Sequence, residues 1–264
     1  MSGSFEVIPG APGSRVILHV PHSSRAIPDD VRAGIVLDDA ALEDELDAIT
    51  DAHTDRLAEQ AAEQAAVRPW LLVNRLSRLV VDPERFPDES EEMNAVGMGA
   101  VYTRTTARGV LREPSEEERS LLVERYFHPY ARAMSELVSK RLDAVGAVTI
   151  LDVHSYPRAA LPYELHGDGP RPEVCLGTDT FHTPAALVDS AREVFGVLGD
   201  DAVGLDSPFA GAYVPLDRYG GDRRVSALML ETRRDVVASE AAALSRAMAS
   251  VSDHCEEPQN YDNN

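Results

Sequence analysis

The chain has 264 residues, a formal net charge of −20 at pH 7 and a pI near 4.7. These values argue against nucleic acid and anionic membranes as partners, because both require basic surface. The sequence shows no basic-then-apolar leader and no apolar run of membrane-spanning length, and its two cysteines lack metal or redox spacing. We therefore expect a cytoplasmic protein, and the sequence does not indicate an oligomeric state.

The first third of the chain predicts one strand, one long helix and a strand pair. An apolar run predicts the first strand over residues 15–20, and Pro28 begins a short helical turn. Residues 39–66 are rich in Ala, Leu, Glu and Gln, which predicts a long helix. The next elements are interpreted as two strands and a long acidic loop, over residues 67–73, 79–81 and 82–99.

The rest of the chain alternates between helices and strands. Ser115 and Glu118 form a capping-box pattern, which predicts a helix reaching about Val145. Strands are predicted over 148–157, 173–177, 202–205 and 225–230, and helices over 184–198 and 236–254. This alternation predicts an α/β fold with a mixed, largely parallel sheet covered by helices on both faces. We expect a single domain over residues 1–264, with a frayed tail from about residue 256.

Two predicted strands end on histidines. The run VTILDVHSYP, residues 148–157, is typical of a strand buried on both faces and places His154 at its end. The run RVILHVPHSS places His22 in the same position. Open α/β sheets bind ligands at the carboxyl ends of their strands, and zinc prefers imidazole and carboxylate ligands. We predict that both histidines bind Zn²⁺ or another divalent metal. A structural, hydrogen-bonded histidine is the alternative.

The third metal ligand is predicted to be Asp51, in the carboxylate-rich stretch EDELDAITDAHTD. Most of these carboxylates belong to a solvated helix face. If a helix begins at Thr50 or Asp51, the capping position brings Asp51 to the edge of the site. If the helix runs unbroken from Leu42, Asp51 points to water. His53 follows the apolar spacing, so we expect it to be buried and hydrogen-bonded.

A third strand, VSALMLETR, ends on Glu231. A carboxylate beside a metal is a natural general base, so Glu231 is the predicted catalytic residue. The alternative is a salt bridge with Arg233 or Arg234.

Asn74, Arg75 and Arg78 form a donor-rich turn in a very acidic protein. The planar fork of arginine matches a carboxylate, which predicts a small anionic substrate held by these residues. Pairing with the acidic loop that follows is the alternative. Tyr213, in a turn of small residues, is predicted to line the substrate pocket, with a core position as the alternative.

Seven motifs are spread over nearly the whole chain. They are HVPHSS from His19, TDAHTDRL from Thr50, NRLSRLVVDPERF from Asn74, YFHPYARAM from Tyr126, LDVHSYP from Leu151, PFAGAYVP from Pro208 and LMLETRRD from Leu228. At these motifs the sequence resembles the N-formylglutamate amidohydrolase family. The resemblance implies a fold similar to zinc carboxypeptidases and aspartoacylase, and hydrolysis of an N-acyl amide.

The resemblance also carries implications for the site. It implies that His22 and His154 are ligand positions, and that Asn74 and Arg75 look like the pair that grips a substrate carboxylate. The carboxypeptidase pattern has a Glu three residues after the first histidine, where this chain has Arg25. The expected substrate is a small anionic N-acyl amino acid such as N-formyl-L-glutamate. The alternatives are another zinc amidohydrolase or carboxypeptidase-like enzyme, and a non-catalytic metal- or ligand-binding homologue.

Overall fold

The computed structural model of the chain describes residues 3–165, 167–199 and 201–257. Its strands are β1 (Phe5–Ile8), β2 (Val16–Val20), β3 (Trp70–Asn74), β4 (Val148–Tyr156), β5 (Val174–Gly177), β6 (Val203–Leu205) and β7 (Val225–Arg233). They form one seven-stranded sheet in the order β1-β3-β2-β4-β7-β5-β6. The strands β3, β2, β4 and β7 run parallel, whereas β1 and β5 pair antiparallel with their inner neighbours. The predicted mixed, largely parallel sheet is confirmed.

Helices pack on both faces of this sheet, as predicted. The helices within the described residues are α1 (Asp29–Arg32), α2 (Asp39–Ile49), α3 (Thr54–Gln64), α4 (Glu116–Leu122), α5 (His128–Val145), α6 (Ala185–Phe195) and α7 (Arg234–Glu256), of which α3, α5, α6 and α7 share a core with the strands. Leu57 of α3, Phe195 of α6 and Leu244 of α7 belong to the core on one face. Met134 and Leu137 of α5 belong to the core on the other face. Burying each such side chain contributes about 1.5–3 kcal/mol, so these cores hold the strand ends in place.

Short segments join some of these helices. Two 3₁₀ segments cover Glu92–Val96 and Gly196–Leu198, and a π-helical turn over Val123–Phe127 links α4 to α5. The predicted capping box is confirmed, since the Ser115 hydroxyl accepts from the Glu118 amide at 3.2 Å and the Glu118 carboxylate accepts from the Ser115 amide at 2.7 Å.

The long helix predicted over residues 39–66 is wrong, because the chain breaks into α2 and α3. Thr50 adopts an extended conformation with ψ 134°, and His53 is left-handed with φ 69°. A left-handed residue cannot continue a right-handed helix. The prediction for His53 is also wrong, since its side chain is exposed. Helix propensity is a weak preference that tertiary contacts override, and this break places Asp51 against the sheet edge.

Two smaller differences concern strands. The chain from Leu79 to Val81 is buried but forms a turn, so the strand predicted there is wrong. The edge strand β1 was not predicted, because it is short and its two central residues are exposed. Most of the tail predicted to fray lies outside the described residues, while Glu256 ends α7 and accepts from the Ser14 hydroxyl at 2.5 Å.

Among the described residues, no helix combines the length and the apolar character needed to cross a membrane. The two cysteines, Cys175 and Cys255, are free and buried.

Candidate active site

A cavity of about 540 Å³ lies where several strands end. His22 follows β2, His154 lies near the end of β4, and Glu231 lies opposite His154 on β7. All of these side chains line the cavity, as the open α/β architecture predicts for a ligand site. Its other polar lining residues include Asp51, Arg78, Glu84, Arg85, Asp152, Tyr163, Tyr213 and Arg234.

The predicted ligand residues His22, Asp51 and His154 lie together at this site. Their ligand atoms all lie within 4.8 Å of one another. His154 Nδ1 is 3.0 Å from Asp51 Oδ2 and 3.3 Å from His22 Nδ1, and His22 Nδ1 is 3.7 Å from Asp51 Oδ2. All three residues are buried. Two imidazoles and one carboxylate are the donor set that catalytic zinc sites use.

The break between α2 and α3 is hydrogen-bonded to the segment that follows β2 and contains His22. The backbone amide of Asp51 donates to the carbonyl of His22 at 3.0 Å. The carbonyl of Asp51 accepts from the Thr54 hydroxyl at 2.8 Å, which closes the first turn of α3. These contacts hold Asp51 at the sheet edge, although α3 begins at Thr54 with His53 at its N-cap position and not at Thr50 or Asp51.

A second layer of residues orients His22. Its Nε2 lies 2.9 Å from Asp82 Oδ1, so Nδ1 is left to face the cluster. Asp82 Oδ2 accepts from the Tyr102 hydroxyl at 2.6 Å and from Arg78 Nη2 at 2.7 Å. Carboxylates that accept from the remote nitrogen of a ligand histidine fix its tautomer and ring orientation. Sequence reasoning did not assign Asp82.

His19 and Asp152 form a neighbouring buried pair. Asp152 Oδ1 lies 2.8 Å from His19 Nδ1 and 3.1 Å from His154 Nε2. The remote nitrogen of His19 lies 2.6 Å from the Tyr130 hydroxyl. Both ring nitrogens of His19 are thus occupied, which is the behaviour of a structural histidine.

Two carboxylates beside His22 and His154 each have one oxygen that makes no hydrogen bond in the described structure. Within the described residues, Glu231 Oε2 and Glu84 Oε1 are buried atoms that make no hydrogen bond, although Glu84 Oε1 lies 3.4 Å from His19 Nδ1. Glu84 Oε2 lies 3.3 Å from His154 Nε2 and 3.5 Å from His22 Nε2. Unpaired buried oxygens are costly unless a ligand, ion or substrate uses them. Glu84 was not identified from the sequence.

The electrostatics of the cluster favour positive charge. Burial lowers the pKa of His154, but the carboxylates of Asp152, Glu84 and Asp51 outweigh burial and hold that pKa well above its ordinary value. Burial raises the pKa of Glu231 to about 8, and the negative charge of Asp51 adds to this rise. The site therefore favours positive charge at the histidines, whether protons or a cation carry it.

The three residues of the predicted donor-rich turn do not all lie at the cavity. Arg78 lines the cavity, but neither Asn74 nor Arg75 does so in the described part of the chain. The Asn74 amide donates to the Pro21 carbonyl at 3.0 Å, and Arg75 Nη2 pairs with Glu6 at 2.7 Å. Pairing with the acidic loop, the alternative considered from the sequence, describes Arg78, which binds Asp82 at 2.7 Å. The partner of Arg75 is instead Glu6 in β1. Asn74 and Arg75 thus bind other residues in this structure, and we take the substrate contact from the arginines that line the cavity.

Two further arginines, which were not predicted as site residues, line the cavity. Within the described residues, the buried Nε of Arg85 makes no hydrogen bond and lies 3.6 Å from Asp82 Oδ2, and its Nη1 lies 3.7 Å from Glu91. Arg234 lies 3.7 Å from Asp51. The signal for Arg85 was present in the motif NRLSRLVVDPERF, but side-chain direction in an irregular loop cannot be read from spacing. Tyr213 lines the cavity as predicted, with its ring 4.4 Å from the ring of His19.

Comparisons with known proteins by sequence and by structure indicate the same family. A family model described as N-formylglutamate amidohydrolase matches residues 14–238. The chain is 27% identical over 236 residues to N-formylglutamate deformylase of Pseudomonas putida, covering 85% of this chain and 82% of that protein. Two solved structures share the fold. N-formylglutamate amidohydrolase from Ralstonia eutropha JMP134 has a TM-score of 0.78 at 24% identity, covering 96% of this chain and 97% of that one. A gene product from Agrobacterium tumefaciens has a TM-score of 0.68 at 20% identity, covering 96% of each chain.

Proposed function

The chain belongs to the N-formylglutamate amidohydrolase family. From that premise we propose that the protein is a metal-dependent enzyme that hydrolyses the N-formyl amide bond of an N-formylated acidic amino acid. N-formyl-L-glutamate is the substrate we assign. The observation that carries this proposal is the convergence of His22, Asp51 and His154 beside Glu231, whose buried Oε2 makes no hydrogen bond within the described residues. These residues come from separate elements of the fold, and they meet in one cavity.

The side chains present at the cluster fit a divalent cation. His22 Nδ1, His154 Nδ1 and Asp51 Oδ2 are the atoms that would hold it, because the other nitrogen of His22 faces Asp82. We assign Zn²⁺ from the donor set, with another divalent metal as the alternative. When bound, the cation supplies Lewis-acid polarisation of the amide carbonyl.

Glu231 is the proposed general base and acid. Its carboxylate accepts a proton from the water that attacks the formyl carbon. It then returns that proton to the amino nitrogen as the C–N bond breaks, so formate and the free amino acid leave. A base is most effective when its pKa lies near the working pH, and burial moves the pKa of Glu231 in that direction, to about 8. A nearby cation favours the ionised form that accepts the proton.

Arg85 is the proposed partner of the substrate carboxylate. Arg78 also lines the cavity, but its Nε and Nη2 are already used by Asp82, at 3.1 and 2.7 Å. The acidic contacts of Arg85 in the described structure are longer, at 3.6 Å to Asp82 and 3.7 Å to Glu91, and a planar guanidinium can hold a carboxylate through two hydrogen bonds. Arg78 Nη1 and the Tyr213 hydroxyl would complete the polar surface around the bound amino acid.

A panel of acylated amino acids tests this proposal. The purified protein is offered N-formyl-L-glutamate, N-acetyl-L-glutamate, N-formyl-L-leucine and a neutral N-formyl amine, and release of the free amine is measured. The proposal predicts the highest kcat/KM for N-formyl-L-glutamate and the lowest for the amine that lacks a carboxylate. Equal rates on the neutral amine would contradict the carboxylate clamp, and a preference for N-acetyl substrates would assign a different acyl group.

A further inference from the structure

Arg234 is the first residue of α7, three positions after Glu231, and its guanidinium reaches back across the cavity wall to α2. Its Nη1 donates to the backbone carbonyl of Ala48 at 2.8 Å and to that of Asp47 at 3.2 Å. Its Nη2 lies 3.7 Å from Asp51 Oδ1. One side chain therefore contacts both the end of α2 and the carboxylate that follows the helix.

The carbonyls that Arg234 binds belong to the last turn of α2, where backbone acceptors lack partners within the helix. A cation at a helix C-terminus also complements the negative end of the helix dipole. Arg234 thus stabilises the end of α2 at the point where the chain must leave the helix. Without that break Asp51 would continue on the helix and point away from the cavity.

The two oxygens of Asp51 face different groups. Oδ2 lies 3.0 Å from His154 Nδ1 and 3.7 Å from His22 Nδ1. Oδ1 faces the arginines, at 3.7 Å from Arg234 Nη2 and 4.0 Å from Arg78 Nη1. Arg78 binds Asp82 through Nε and Nη2, and its Nη1 lies farther from Oδ1 than Arg234 Nη2 does, so Arg234 is the nearer cation. This division presents one oxygen to the histidines and restrains the other.

We propose that Arg234 is a positioning residue that ends α2 and orients the Asp51 carboxylate toward the metal cluster. The inference rests on the proposed metal site at His22, Asp51 and His154. A single guanidinium performs both tasks because its two terminal nitrogens point to different acceptors. Lysine has one terminal nitrogen and cannot reach the carbonyls and Oδ1 together.

The adjacent Arg233 offers a matched control. It has the same charge and sits one position away, but its Nε pairs with Asp235 at 2.7 Å and its Nη1 donates to the Arg171 carbonyl at 3.2 Å. Within the described residues, its hydrogen bonds and ion pairs go to Asp235, Arg171 and Glu173 and not to the cluster or to α2. Arg233→Gln therefore removes one positive charge next to Arg234 without touching Asp51.

The experiment measures zinc affinity by competition with a chromogenic chelator, in the wild type and in Arg234→Gln, Arg233→Gln, Asp51→Asn and the double variant Asp51→Asn/Arg234→Gln. Loss of a residue that orients a metal ligand typically weakens metal binding by about 10–100-fold, which is the effect expected for Arg234→Gln. Arg233→Gln should keep the wild-type affinity. The double variant should bind zinc no more weakly than Asp51→Asn alone, because Arg234 acts through Asp51.

The outcomes separate this inference from the proposed function. If Asp51→Asn loses zinc affinity but Arg234→Gln does not, the role of Arg234 is wrong and the metal site stands. If Asp51→Asn keeps full affinity, both are wrong. If Arg234→Gln raises KM with unchanged zinc affinity, Arg234 contacts substrate and the positioning role is overturned. Should Arg234→Gln fail to fold, Arg234→Lys serves in its place, and wild-type zinc affinity in that variant overturns the inference.

Discussion

Replacing Glu231 by Gln is the perturbation that tests the chemistry most sharply. Gln has nearly the same size and shape, and Glu231 is 8% exposed with one oxygen that makes no hydrogen bond in the described structure. The fold and the cluster of His22, Asp51 and His154 should therefore persist. General-base catalysis contributes about 10²–10⁴-fold, so kcat should fall by that factor. At about 1.36 kcal/mol per tenfold, the barrier rises by about 2.7–5.4 kcal/mol.

Glu84→Gln is the matched comparison, because Glu84 is a second carboxylate beside the same histidines, with Oε2 3.3 Å from His154 Nε2. Formate release from N-formyl-L-glutamate gives kcat and KM for both variants, and bound metal is measured in the same samples. We expect Glu231→Gln to keep its metal and its KM while losing turnover. We expect a smaller loss in Glu84→Gln. Near-normal turnover in Glu231→Gln would refute this reasoning, and a large kcat loss confined to Glu84→Gln would make Glu84 the base.

Three further predictions concern metal, substrate and stability. His22→Ala and His154→Ala should each lose bound zinc while keeping the wild-type circular dichroism spectrum; full zinc occupancy in either would remove that residue from the ligand set. Arg85→Lys should raise KM about ten- to a hundredfold with little change in kcat, because lysine cannot form the two-bond contact, whereas Arg75→Lys should leave KM unchanged. Ser115→Ala should lower the free energy of unfolding by about 0.5–2 kcal/mol through loss of the helix cap, measured by urea titration, and an unchanged midpoint would show that the cap contributes nothing.

The fold and the strand-end histidines could be predicted because both depend on local patterns. Buried parallel strands are near-continuous apolar runs, and β2, β4 and β7 all follow this rule. The side chains that end such strands meet at one edge of the sheet, so His22, His154 and Glu231 could be grouped without coordinates. The position of Asp51 could not be predicted in the same way, because the sequence allowed either a continuous helix or a break beside this residue.

The features that escaped prediction depend on distant contacts. The helix break beside Asp51 is held by the carbonyl of His22 and by Arg234, which lie far away in the chain. Which of Arg75, Arg78 and Arg85 can reach the substrate depends on the direction in which each side chain points from an irregular loop. That direction is set by partners such as Glu6 and Asp82, and arginine spacing alone carries no information about it.

The measurement that tests the central proposal most directly is a metal titration of deformylase activity. The protein is stripped of metal with a chelator, and formate release from N-formyl-L-glutamate is followed as Zn²⁺ is returned in steps. The proposed site at His22, Asp51 and His154 predicts that activity disappears on stripping and reaches its plateau near one equivalent of zinc, as expected for a single catalytic site. Undiminished formate release by the metal-free protein would contradict the proposal.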